Sequence, residues 1–570
     1  MISAADPPVR SPRPAATRRP RAMTAVRVTG WIVLVALGAL QAWAFRHAMN
    51  PDGISYLDVA DSYARDGLRA WVNGYWSPLY PWVLAGAFGV LRPSPATEFA
   101  AAHAVNFALY LLSLAGFELF LRELLRWRRE RHGDALETPL AALGYAAFAW
   151  GVPRLVTLEL VTPDLIVAAL TFACAALLLR ASRDGGRPLT LGMLGAAAGV
   201  AYLAKAAMFP VGFVTVAAGG AIVARGRGRR VGVRGAAMAL AAFLLVSAPL
   251  FVSLSISKHR PTFGDVGTLA YAWYVDNLPQ MGRWEGGGGT GTPAHAPRVV
   301  YPSPRVYAFA APVPGTYPLW YDASYWYEGI RPPVNLPLQA KVVGSALYHV
   351  WYPIGIAFFP LVVLAGALVA TGLLRAPDRS AWLVALPSLA TFAAYSMVHI
   401  EMRFIGAQLC VVLLLFLATL APAEEGDWRL PAAVLAAAVL PLAMDLARSG
   451  GRMAVNAMQA GPENAAWAQA RALHAADVPR GARVGLITTW QIEDGARSFW
   501  ARAGRMRIVA ETWDAREFWS APPAVQQAVL DAMERAGATV VVAAHAPSCP
   551  PERGWRAATP ELCVLTPPTR

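Results

Sequence analysis

AAMALAAFLLVSAPLFV, residues 236–252, holds seventeen consecutive positions without a charged side chain. With its flanks the run approaches the roughly 20 apolar residues a helix needs to cross a bilayer. Runs at 31–45, 165–179 and 410–420 read the same way. The whole 570-residue chain is 56% hydrophobic and 15% charged. Soluble domains average about 45–50% apolar and about 25% charged. This composition excludes a purely soluble protein, a disordered chain and a small disulfide scaffold. A β-barrel is excluded because its strands alternate with period two instead of running apolar throughout.

Eleven apolar blocks are legible: the first at 28–45, then others centred near 110, 146, 171, 196, 215, 245, 363, 389, 412 and 438. The net charge of +14 does not imply nucleic acid. The arginines sit in short loops between blocks, where they set membrane orientation. Examples are Arg126, Arg128, Arg129 and Arg131, and then Arg225, Arg227, Arg229, Arg230 and Arg234. With the N-terminal arginines inside, loops 122–137, 180–188, 225–234, 375–380 and 423–429 face the cytoplasm. Segments 46–97, 257–342 and everything after about 448 lie outside.

The predicted fold is therefore an all-α polytopic membrane protein of about eleven transmembrane helices. Residues 1–28 read as a disordered cytoplasmic tail and 29–448 as the membrane domain. Residues 449–570 read as a small extracytoplasmic α/β domain, because strand patterns at 483–488, 507–510 and 539–544 alternate with helix patterns at 494–503 and 523–536. That region has no GxGxxG and no phosphate loop, so no nucleotide site is implied. Cys174 and Cys410 read as core residues. Cys549 and Cys563 are expected to pair outside the cytoplasm, which stabilises by about 3 kcal/mol in the chain-entropy model.

Two outer segments carry more than loop. Ile54, Leu57, Ala60 and Ala64 form one stripe, with Ser55, Asp58, Ser62 and Arg65 elsewhere, so 54–65 reads as an amphipathic helix ended by Asp66-Gly67. Residues 79–91 read as a second interfacial piece. In 257–342, Gly286 to Gly289 is flexible, and Pro312, Pro314 and Pro318 argue against regular structure. Tyr317, Trp320, Tyr321, Tyr325, Trp326 and Tyr327 form an aromatic cluster. It reads either as an interfacial belt or as a lid whose rings stack on a sugar or head group.

Charge near a bilayer is costly and usually functional. Four places stand out: Asp52, Asp164, Lys205 and the group His399, Glu401 and Arg403. Asp52, in Asn50-Pro-Asp-Gly-Ile-Ser-Tyr, reads equally as a helix N-cap or as a general base. Asp164 opens a span after Thr162 as N-cap and Pro163 at N1. Lys205 is either a snorkelling lysine or a phosphate contact. Arg403 reads as an ion-pair partner of Glu401 or as a second phosphate contact.

The segment Asn50-Pro-Asp-Gly-Ile-Ser-Tyr-Leu-Asp-Val-Ala, continuing to Asn73-Gly-Tyr-Trp-Ser-Pro-Leu-Tyr-Pro-Trp, resembles the first outer loop of GT-C fold membrane glycosyltransferases. Protein O-mannosyltransferases, the lipid A aminoarabinose transferase and bacterial family 39-like enzymes are of this kind. Asp164, Lys205 and His399…Arg403-Phe also fall at family-like positions, and the resemblance spans about residues 30–420. The mannosyltransferases carry Asp-Glu in this loop where Asp52 is followed by Gly53, which points to a different acceptor.

The resemblance implies transfer of a sugar from a polyprenyl-phosphate-linked donor to an acceptor hydroxyl on a protein, lipid or glycan, at the outer face of a bacterial inner membrane. Asp52 would be the base, with Asp164 as its partner. Lys205 and Arg403 would bind the phosphate. Tyr56, Trp76, His399 and Glu401 would contact substrate, and the lid reading of the aromatic cluster adds Tyr325 and Trp326. No organic cofactor is implied, and a divalent cation is allowed for without being required. Two other classes are a lipid or lipid-linked-sugar flippase and a non-catalytic envelope-assembly subunit.

Overall fold

In the computed structural model the run 236–252 is the middle of a 29-residue helix. The described residues are 18–566, apart from 71, 281–283, 296–297, 310–313, 376–378, 424–427, 460, 462, 490–495, 545 and 547. The expected tail at 1–28 is corrected in part. Helix α1 (Arg18–Ala44) already includes residues 18–28, whose Ala and Arg are good helix formers, while 1–17 lie outside the described residues.

Helices α2 (Pro51–Asp66) and α3 (Leu79–Leu91) follow. Next come α4 (Glu98–His132), α5 (Glu137–Ala149), α6 (Asp164–Asp184), α7 (Pro188–Ala204), α8 (Met208–Arg227) and α9 (Arg229–Ser257). A π turn, Trp150–Val156, extends α5, with Pro153 inside it supplying no backbone donor. The outer loop carries α10 (Val266–Ala270), α11 (Pro318–Tyr321) and α12 (Ala323–Trp326). Pro318 therefore opens a helical turn from its first position, where its missing N–H costs nothing. The remaining membrane helices are α13 (Leu336–Ala346), α14 (Tyr352–Ala370), α15 (Arg379–Ser396), α16 (Met402–Ala418) and α17 (Arg429–Gln459).

Each of the eleven apolar blocks is thus helical. Among the described residues, seven stretches are long and apolar enough to cross a membrane unaided. Those at α5, α7, α15 and α16 are shorter and packed among the others. Small residues permit that packing. A β-carbon at Gly195 of α7 would run into the Ala239 carbonyl of α9, and one at Gly151 would lie 2.7 Å from the Gly406 carbonyl of α16.

The two ends of the bundle differ in charge. At one end buried Glu123 of α4 accepts from Arg126 at 3.2 Å, Arg180 at 2.8 Å and Arg183 at 2.7 Å. The other end carries the starts of α2, α6 and α16 and the end of α7, where the candidate site residues lie.

Beyond that end sits a seven-stranded sheet, ordered β1-β2-β4-β3-β5-β7-β6. Strands β3 (Arg483–Ile487), β4 (Arg507–Thr512) and β5 (Val540–Ala544) pair in parallel, as the alternating pattern predicts. Helices α18 (Ala465–Ala475), α19 (Ala496–Ala503), α20 (Ala515–Ser520) and α21 (Pro523–Arg535) accompany them. Four further strands add antiparallel edges. Strands β6 (Arg556–Thr559) and β7 (Leu562–Leu565) join through β7 to β5, and the Cys549–Cys563 bridge reaches β7. Strands β1 (Arg298–Pro302) and β2 (Arg305–Ala308) come from the outer loop, with β2 pairing to β4. The outer loop and the C-terminal region therefore share one sheet, which short Pro-flanked strands concealed at the level of sequence.

Candidate active site

Four segments far apart in the chain converge because each ends or begins a packed helix. Asp52 stands in the first turn of α2, Asp164 opens α6, Lys205 follows α7, and His399, Glu401 and Arg403 surround the start of α16. All six line one cavity of about 330 Å³.

The cations and carboxylates there are interleaved. Arg403 grips Glu401 through Nε at 2.7 Å and Nη2 at 3.3 Å, and the same Nη2 donates to Asp52 Oδ2 at 3.3 Å. Its Nε is 3.9 Å from Asp164 Oδ2. Lys205 Nζ donates to Asp164 Oδ1 at 2.6 Å and stands 3.6 Å from the Phe404 ring centre. Thr162 Oγ1 donates to Asp164 Oδ2 at 2.8 Å. Both Asp164 oxygens are engaged and its side chain is 3% exposed. Asp52 has one long contact to Arg403 and is 24% exposed. Asp52 is thus the carboxylate with capacity left for a proton.

Two capping readings are corrected. Asp52 is inside α2, whose N-cap is Asn50; the Asn50 Oδ1 accepts from Val161 N at 2.8 Å instead of capping. Thr162 serves the Asp164 carboxylate, and Pro163 holds the N-cap position. In both places the local cap gives way to a contact that fixes the site.

Burial raises the Asp52 carboxyl above the ordinary aspartate range, against the lowering influence of Arg403. Burial lowers the Lys205 ammonium, opposed by Asp164. Burial also pushes Glu401 upward, but the His399 and Arg403 contacts override it and hold that carboxyl at about 2. Glu401 therefore stays ionised and fixes Arg403. His399 Nε2 meets Glu401 Oε1 at 3.0 Å, and its ring stacks on Tyr274 at 3.9 Å between centroids.

Of the expected substrate contacts, Tyr56 and Trp76 line the cavity wall with ring centroids 4.8 Å apart. Trp76 Nε1 is committed to the Trp320 carbonyl at 2.9 Å. Tyr325 and Trp326 are corrected: neither lines this cavity. Trp326 is buried in the core of the outer region with its Nε1 on the Pro318 carbonyl at 2.9 Å, and Tyr325 stacks on His295. From the same aromatic cluster it is Trp320 that reaches the cavity. Tyr274, Tyr395 and Phe404 also line it without having been singled out, although Phe404 adjoins Arg403 in the quoted motif. Among the described residues no group of three or more His, Cys, Asp or Glu is arranged to hold a metal ion.

The helical bundle with its outer sheet is a GT-C-like fold, shared with solved membrane proteins. The chain is similar to crystal structures of ArnT from Cupriavidus metallidurans. For ArnT bound to undecaprenyl phosphate the TM-score is 0.51 at 14% identity, covering 94% of this chain and 98% of that one. For ArnT in the apo state it is 0.50 at 15% identity, with the same coverage. The archaeal oligosaccharyltransferase AglB from Archaeoglobus fulgidus, in complex with an inhibitory peptide and a dolichol-phosphate, gives 0.47 at 12% identity over 93% of this chain and 70% of that one. No protein-family model matches the chain, and no curated protein matches it by sequence.

Proposed function

We propose that the protein is a membrane glycosyltransferase that moves a sugar from a polyprenyl-phosphate-linked donor to an acceptor hydroxyl, with inversion at the anomeric carbon. One observation carries this reading: an under-committed carboxylate, Asp52, shares a cavity with two cations, Lys205 and Arg403, at the ends of membrane helices. Asp52 takes the proton of the acceptor hydroxyl as the acceptor oxygen bonds to the anomeric carbon. The bond from that carbon to the phosphate oxygen breaks, and the phosphate leaves with the electron pair, stabilised by Lys205 and Arg403. Asp164 orients Lys205. His399 and Glu401 hold Arg403, and Tyr56 and Trp76 shape the sugar side. The similarity to ArnT, solved with undecaprenyl phosphate bound, supports a lipid-linked donor.

The arginines bear on the membrane face. Their clustering at the end opposite the site supports a cytoplasmic N-terminus and a site facing outward in a bacterial inner membrane. A flippase would place its charges near the bilayer midplane, whereas these gather at one end.

The test is release of polyprenyl phosphate from a radiolabelled polyprenyl-phosphate sugar by the purified chain. Release that depends on an added acceptor supports the reading. Movement of intact donor across vesicles without release would replace it with the flippase.

A further inference from the structure

Helix α2 is gripped from the side opposite the cavity. Arg502 of α19 is 3% exposed, and its guanidinium is surrounded by three carboxylates. Its Nη1 donates to Asp58 Oδ1 at 2.8 Å and Asp61 Oδ2 at 2.6 Å. Its Nε and Nη2 take both oxygens of Glu98 at 2.9 and 2.7 Å. Arg505 adds a 2.9 Å contact to Glu98. Asp58 and Asp61 lie on α2 and Glu98 opens α4, so one side chain of the C-terminal region ties two membrane-domain helices together.

Ser55, Asp58 and Ser62 on the polar side of α2 are buried. Asp58 accepts from Thr316 N and Thr316 Oγ1, both at 2.8 Å, and Ser55 Oγ donates to the Trp320 carbonyl at 3.1 Å. Tyr321 OH meets Ser62 Oγ at 2.9 Å. The backbone at 316–321 thus lies along α2, and its Trp320 enters the cavity. Thr316 is itself anchored to the sheet, since Ile508 N donates to its carbonyl at 2.9 Å. At 1.5 Å per residue, Asp58 stands about 9 Å along the helix from Asp52. A rigid α2 transmits that grip to its first turn.

We propose that Arg502 is a positioning residue for the transfer reaction: by clasping Asp58, Asp61 and Glu98 it sets the pose of α2, and with it Asp52 and the Trp320 segment. This rests on the glycosyltransferase reading. The C-terminal region is then part of the catalytic apparatus and not an appendage. Arg is suited to the task because its planar fork serves several carboxylates at once, which Lys cannot.

The test uses Arg502→Lys in the full chain. A second variant, Arg502→Leu with Asp58→Asn, Asp61→Asn and Glu98→Gln, removes the charge cluster without leaving a buried carboxylate unpaired, should the first not fold. Turnover is expected to fall by about 10²-fold, as for a displacement of about 1 Å at a reacting group. Affinity for polyprenyl phosphate, the probe for donor binding, is expected to hold. The acid limb of the pH–rate profile is expected to move toward lower pH as Asp52, faced by Arg403, Glu401, Asp164 and Tyr56, regains water. A folded variant with wild-type turnover and an unmoved limb overturns the proposal, as does equal loss of turnover and lipid binding. If the wild-type chain releases no polyprenyl phosphate, the reaction reading fails. Amide exchange along 53–66 then still decides the clasp: faster exchange in the variant upholds it, and unchanged exchange removes it.

Discussion

Arg403 and Asp52, 351 positions apart in the chain, meet through a single Nη2–Oδ2 contact of 3.3 Å. Arg403 is held more tightly by Glu401, at 2.7 Å. The guanidinium is therefore fixed by one acid and only lightly shared with the other. In the proposed mechanism, that asymmetry would leave Asp52 free to take a proton while keeping a cation beside it.

Lys205 and Arg403 are each expected to contribute to donor affinity. A hydrogen bond to a charged group is worth about 1.5–3 kcal/mol, so Lys205→Ala or Arg403→Ala weakens polyprenyl-phosphate binding by about tenfold or more. Isothermal titration in detergent checks this. Undiminished affinity in both variants removes the phosphate assignment.

The pH dependence has a definite sign. Asp52 acts as a base only when ionised, and burial raises its carboxyl above the ordinary value. Turnover should therefore fail, as pH drops, at a higher pH than an ordinary aspartate near about 3.9 would set. Arg403 opposes the rise, so Arg403→Gln should move the acid limb of kcat further up. A limb that moves down in this variant contradicts the arrangement.

The aromatic cluster separates into scaffold and site. Trp326→Ala removes a buried ring and should cost about 3–5 kcal/mol of stability, as large-to-small core changes do. It should leave donor affinity intact in the folded fraction. Trp320→Ala should instead lower turnover with a smaller loss of stability. Thermal melts paired with donor binding distinguish the two, and the reverse pattern would place Trp326 at the site after all.

Much of this was legible in the chain itself. Uncharged runs such as 236–252 can only be buried in lipid or protein, so the helices follow directly. Asp52, Asp164, Lys205 and Arg403 stood out because a charge at the edge of an apolar run is costly. Their pairing was not legible: which carboxylate Lys205 would take depends on how α6, α7 and α16 pack. Arg502 was hidden for the same reason. In sequence it is one of many arginines, and only the fold brings Asp58, Asp61 and Glu98 around it. The hairpin 298–308 was concealed because it gains stability from pairing with β4, some two hundred residues later, and not from its own pattern.

Membrane orientation is checked by a reporter fused after residue 460. The Arg-rich end at Glu123, Arg180 and Arg183 is expected in the cytoplasm, opposite the site. Phosphatase activity outside the cytoplasm agrees with this, and a reporter active only inside it reverses the orientation.

In the proposed mechanism Asp52 removes the acceptor proton. A general base contributes about 10²–10⁴-fold, and Asp52→Asn keeps the shape of the side chain while abolishing its basicity. The decisive measurement is single-turnover transfer by Asp52→Asn, with donor affinity and melting temperature recorded on the same preparation. Transfer is expected to collapse by about 10²-fold or more while the protein still folds and binds polyprenyl phosphate. Transfer at the wild-type rate in a folded, donor-bound Asp52→Asn would contradict it.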